Sequence, residues 1–181
     1  MISLISLVWV IALFNALLGF QRGWYREIVI TAAVVVSSYV IFQFDPILRG
    51  VILSRFSREQ VFIVQFALFL ALLFFTTSQR IGAQDRRREG LGAGVIGMVM
   101  GAINGYLIGG TIWYFLDINE YPFSTILSAP QLGSPSANAI SSLPLVIFSG
   151  GVNGSGEFLV FVVIGVFLLV DAGYAQFAIK P

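Results

Sequence analysis

The chain has 181 residues, of which 57% are hydrophobic and only 10% charged, with a net charge of +1. A mean hydropathy of +0.91 is far from the balance of soluble domains, where about a quarter of residues carry charge. There is no histidine and no cysteine, which excludes Ser-His-Asp and Cys-His catalysis, His- or Cys-ligated zinc, iron–sulfur centres and disulfides.

Residues 1–20 form an uncharged apolar run of bilayer length. It lacks the basic start and small-residue cleavage site of a signal peptide, so a retained first helix is expected. Asn15 is its one strongly polar side chain, read as a helix-contact or interfacial group. The short loop QRGWYRE, 21–27, leads into a second span over 28–44. That span is expected to stop before Asp45-Pro46, because proline disfavours helical geometry in the residue preceding it.

In the segment 46–60, Leu48, Ile52 and Phe56 recur at helical spacing among Arg49, Arg55 and Arg58, which predicts a short helix in the headgroup region. Residues 61–77 are the third span. A polar loop, 78–90, carries Arg80, Asp85, Arg86, Arg87, Arg88 and Glu89. The fourth span, 91–116, holds seven glycines in its first twenty residues, LGAGVIGMVMGAINGYLIGG.

Residues 117–156 differ in kind: four prolines, many Ser, Gly and Asn, and no Lys or Arg. Within them the apolar patch 143–148 reads as a re-entrant or surface-lying piece. A fifth span is expected over 158–179, with Asp171 inside it. Basic residues are retained on the cytoplasmic side of a membrane. The loops after spans one and three hold six arginines, and Lys180 joins them in a five-span chain; the opposite side holds three. The amino terminus is therefore predicted outside, with the loops 21–27 and 78–90 in the cytoplasm.

Gly97, Gly101, Gly105 and Gly109 recur every four residues on one helix face. Lipid gives helices no hydrophobic reason to associate, so close backbone approach across small residues has to supply the attraction. Asn104 stands at the edge of this stripe, where its amide can bond across. Three roles suit the stripe: packing within one bundle, self-association or docking of a membrane partner, and lining a pore. Arg22, Arg26 and Glu27 suit interfacial anchoring beside Trp24 and Tyr25, or a cytoplasmic docking knob built on Gly19 and Gly23. Asp171 suits an ion pair with the Arg22/Arg26 turn or an end cap at the interface. A proton relay would call for further titratable groups at depth, and the sequence offers none.

Two stretches together resemble the CvpA family of bacterial inner-membrane proteins, named for colicin V production. One is the opening hairpin ALFNALLGFQRGWYREIVITAAVVV; the other is the basic loop followed by GVIGMVMGAINGY. The resemblance covers roughly residues 1–116 and carries over Gly19, Arg22, Gly23, Gly97, Gly101 and Gly105 as motif positions with a structural or partner-docking role. The chain departs from the family in lacking an acid before Glu27, in placing Asn104 where a basic residue is usual, and in its tail beyond residue 116. The resemblance implies a non-enzymatic accessory protein in toxin production, export or envelope homeostasis.

The expected fold is an all-α polytopic membrane bundle of four core helices plus a fifth. Its domains are 1–116, a polar exocytoplasmic segment 117–156, and a last helix with its tail, 157–181. Expected partners are the lipid bilayer and a membrane protein or a second copy. No cofactor, metal, nucleic acid or small-molecule substrate is expected. The alternatives are a small oligomeric channel or transporter subunit and an accessory subunit of a larger membrane complex.

Overall fold

The computed structural model describes residues 3–81, 91–151 and 154–178. The first helix, α1 (Leu4–Arg22), opens on Ser3, whose hydroxyl accepts from the Ser6 backbone N–H and caps the free helix end. It closes on one residue. Gly23, at φ 83° and ψ 161°, ends α1, and α2 (Trp24–Ile47) starts at the next position. A side chain is essentially excluded from that backbone conformation, so glycine allows the chain to reverse without a loop. The expected loop 21–27 is thus helical except at Gly23, and this places Glu27 inside the bundle instead of at its rim.

α2 also runs past its expected stop. Asp45 and Pro46 lie within it, and the helix then loosens into a π turn, Leu48–Ile52. Proline removes only one backbone donor, and near a helix end the wider turn accommodates the loss. Asp45 is held meanwhile by Arg49, four residues on, at 2.9 Å. The headgroup helix expected over 46–60 is replaced by the end of α2, this π turn, and a bend leading into α3 (Arg58–Ile81).

The longest helix is α4 (Leu91–Ile118), with 28 residues. Beyond it, two short helices, α5 (Pro135–Ala139) and α6 (Pro144–Ser149), flank a 3-10 turn at Ile140–Ser142. Gly150, left-handed at φ 90°, caps α6. The last helix, α7 (Glu157–Ala178), has 22 residues, about 33 Å at 1.5 Å per residue.

Among the described residues four helices are long and apolar enough to cross a bilayer: Leu4–Arg22, Trp24–Ile52, Arg58–Thr77 and Leu91–Ile118. The protein is therefore an all-α polytopic membrane bundle. Its outer surface suits lipid: Leu13, Leu17, Phe74 and Phe161 are exposed. From Trp24 to Asp45, α2 rises about 31 Å, the thickness of a hydrocarbon core.

α4 stands at the centre. α1 packs along it antiparallel, α2 parallel, and α6 against Gly110. One apolar core joins α2, α3, α4, α6 and α7 through Val34, Phe69, Phe115, Leu145 and Leu159. A second gathers Leu4, Val8, Trp113, Leu143 and Val146 around the amino-terminal end of α1. The segment 117–156 is consequently not a surface appendage throughout. Pro144 meets α4 at Gly110, eight residues or about 12 Å back from the end of that helix, so α6 is wedged into the bundle.

Candidate functional site

Two seams on α4 organise the bundle, and the first is made of backbone. A Cβ placed on Gly105 would lie 2.6 Å from the Ala12 Cα, and one on Gly101 would lie 3.0 Å from the Asn15 carbonyl carbon. Gly97 faces Gly19 and the Gly23–Trp24 peptide in the same way. Only at Gly109, where Val8 and Ile11 side-chain atoms stand 3.4 and 3.5 Å away, is there room for a methyl group. The groove cut by Gly97, Gly101, Gly105 and Gly109 is therefore filled by α1 of the same chain. Asn15 turns its side chain back to the Ile11 carbonyl at 3.0 Å, leaving its backbone to meet Gly101.

The second seam is polar. Asn104 is fully buried between α2 and α4 and uses both ends of its amide. Its nitrogen donates to the Glu27 backbone carbonyl at 2.9 Å and to Glu27 Oε2 at 2.8 Å. Its oxygen accepts from the Thr31 hydroxyl at 2.7 Å. Seven residues further along both helices, the Ser38 and Thr111 hydroxyls pair at 3.2 Å. Another seven along α2, Asp45 Oδ1 accepts from Gln65 of α3 at 2.6 Å, and Gln65 in turn accepts from Asn119 at 2.6 Å. Arg49 closes this end by donating to Asp45 and to the Ile118 carbonyl, both at 2.9 Å.

Seven residues make close to two helical turns, so a repeat of seven returns to the same helix face, which explains why the polar pairs recur at that interval. Inside a bilayer each such group needs a protein partner, and each finds one across the seam. Among the described residues two buried atoms do not: Glu27 Oε1 and Ser37 Oγ have no hydrogen bond. The nearest described cation to the first is Arg22, at 3.7 Å and partly exposed.

Beyond the end of α4 a small knot ties the chain. Trp113 donates through Nε1 to the Tyr121 hydroxyl at 3.1 Å, which donates to Asp117 at 2.9 Å. Glu120 and Tyr121 both hold positive φ, 56° and 52°, an uncommon conformation for residues with side chains. Burial of Tyr121 and this bonding hold them there, and burial pushes the phenol well above its ordinary pKa. Glu120 also meets Arg58 in an ion pair that ties this knot to the start of α3.

The structure thus brings Gly19, Arg22, Gly23, Glu27, Gly97, Gly101 and Asn104 into one assembly at and below the α1–α2 turn, and places Gly105 further along the seam against Ala12. Glu27, expected beside the membrane, is instead 1% exposed, because a one-residue turn starts α2 directly beneath it. Arg26 is half-buried on the same turn. Asp171 falls within α7, but its side chain lies outside the described residues, as do loop residues 82–90. Sequence reading missed Ala12, Thr31, Ser38, Asp45, Gln65, Thr111 and Asn119. A signal for several was present: Thr31, Ser38 and Asp45 in one apolar span, and Asn104 and Thr111 in another, share a spacing of seven.

A cavity of about 10 Å³, at the lower limit for one water molecule, lies behind α6 among Val35, Ser38, Leu107, Thr111, Pro144 and Leu145. Among the described residues no three of His, Cys, Asp and Glu come together as metal ligands would. No family model, curated protein or solved structure matches the chain.

Proposed function

We propose that this chain is a non-enzymatic accessory protein of a bacterial inner membrane, similar in role to the CvpA family. It serves toxin export or envelope maintenance by holding other membrane components. The observation that carries this reading is the backbone-on-backbone contact of α1 with α4. Gly19 and Gly23 against Gly97 and Gly101 fix the α1–α2 turn to the bundle, and that turn presents Arg22 and Arg26 at its edge. A rigid basic knob of this kind suits docking, since little freedom is lost when a partner binds. We place the knob in the cytoplasm on the distribution of basic residues.

A channel built around the glycine stripe ranks second, because a pore at that face would have to displace α1. The test is copurification of the tagged chain from native membranes in mild detergent, with mass determination. A membrane or secretion component at fixed ratio, lost on Arg26→Glu while the bundle stays folded, supports docking. A pure homo-oligomer that conducts ions in liposomes replaces it with the channel.

A further inference from the structure

Glu27 is the one described carboxylate buried to this degree, and half of it is bonded while half is not. Oε2 is fixed by Asn104, the fourteenth of the 28 residues of α4. Oε1 is equally enclosed and has no hydrogen-bond donor among the described residues. The described charges on neighbouring elements are few: Arg22 of α1 at 3.7 Å and, on its own helix, Arg26. Among the described side chains α3 and α7 carry Arg58, Glu59 and Glu157 at the opposite end of the bundle, where α2 carries Asp45 and α4 carries Asp117; the side chains of Arg80 and Asp171 lie outside the described residues.

We propose that Glu27 is a proton-binding site and that its charge works a latch at Arg22. Without the proton, the carboxylate draws the guanidinium in from 3.7 Å to bonding distance, the only charged donor within reach among the described residues. With the proton on Oε1 the group is neutral, and Arg22 is released to the solvent or to lipid phosphate at the surface. The proton comes from water on the exposed Arg22 side and returns there; no other species is exchanged. Asn104 keeps its bond to Oε2 in both states, so the seam with α4 stays closed while the turn at Gly23 changes the charge it displays. Thr31 adds to this by holding the Asn104 oxygen, which fixes which end of the amide faces the carboxylate. Proton binding at Glu27 is independent of any accessory role.

The full chain in lipid vesicles, followed by infrared spectroscopy from about pH 4 to pH 10, tests this, because that range brackets carboxyl groups shifted either way. The spectrum of the native protein minus that of Glu27→Gln is expected to contain a protonated-carboxyl carbonyl band that grows as pH falls. Glu27→Gln retains an oxygen for Asn104 and so keeps the fold. If it nevertheless fails to assemble, carboxyl-labelled glutamate in a chain whose other glutamates, Glu59, Glu89, Glu120 and Glu157, are replaced by glutamine identifies the Glu27 band by its isotope shift. Arg22→Gln, which removes the stabilising cation, is expected to move the midpoint up by about 1 pH unit or more. Absence of the band, a band constant over the whole range, or a midpoint unchanged in Arg22→Gln overturns the proposal.

Discussion

Gly101→Ala adds one methyl group in a close-packed part of the α1–α4 seam, where the new Cβ meets the Asn15 carbonyl and stands 3.1 Å from Gly19 Cα. The atoms ahead of it are backbone, so no side chain can swing aside. α1 has to retreat by about 1 Å, and a gap of that size forfeits up to half of each dispersion contact. With on the order of 30 atom pairs affected at about 0.1–0.2 kcal/mol each, the loss is about 2 kcal/mol, within the usual range for overpacking. Alanine's helix advantage, up to about 1 kcal/mol in water, acts equally at Gly109. Gly109→Ala, whose Cβ would stand 3.4 Å from its nearest neighbour, therefore isolates the packing cost. Unfolding in mixed micelles with increasing SDS, followed by fluorescence of Trp9, Trp24 and Trp113, compares the two. The Gly101→Ala equilibrium is expected to fall about 30-fold below that of Gly109→Ala, which is about 2 kcal/mol at 1.4 kcal/mol per tenfold. Equal stability of the two variants would refute the close-packed seam.

Asn104→Leu removes three inter-helix hydrogen bonds at about 0.6 kcal/mol or more each and leaves Glu27 without its donor, so a loss of about 2–3 kcal/mol is expected in the same micelle assay. A change within 0.5 kcal/mol would remove the polar seam from the list of what holds α2 to α4 (about 0.5 being the spread of neutral substitutions). Because the chain has no cysteine, the pair Ser38→Cys and Thr111→Cys is expected to form an intramolecular disulfide on mild oxidation, detected by mass; failure to form it contradicts the parallel register of α2 and α4. Tyr121→Phe is expected to cost about 1 kcal/mol through its lost bonds to Trp113 and Asp117. The sign of its pH effect follows from a folded pKa raised above the ordinary phenol value of about 10. The stabilisation is complete below about pH 10 and is lost as pH rises through the folded value, so native melting temperatures are expected to decline above about pH 10 more steeply than those of Tyr121→Phe.

The amino-acid sequence by itself determined the class of the protein and the positions of its spanning helices. Long uncharged runs leave a chain no alternative to backbone bonding within a helix in lipid, and that is a local property. The four-residue spacing of glycines also belongs to one helix, and it announces a close neighbour without naming it. That α1 fills this groove and that Asn104 receives Glu27 depended on elements distant in the chain. The one-residue turn at Gly23 and the Asp45–Arg49 pair are local, but Gln65 and the Ile118 carbonyl, which hold Asp45 and Arg49 in place, come from across the fold. The wedge of α6 was equally illegible, since Leu143, Pro144 and Val146 are only another apolar patch until α4 offers Gly110 to receive them. Periodicity reports which face of a helix is special. Which face it meets is settled only when the helices pack, because in lipid the partner is chosen by shape and hydrogen bonding and not by hydrophobicity.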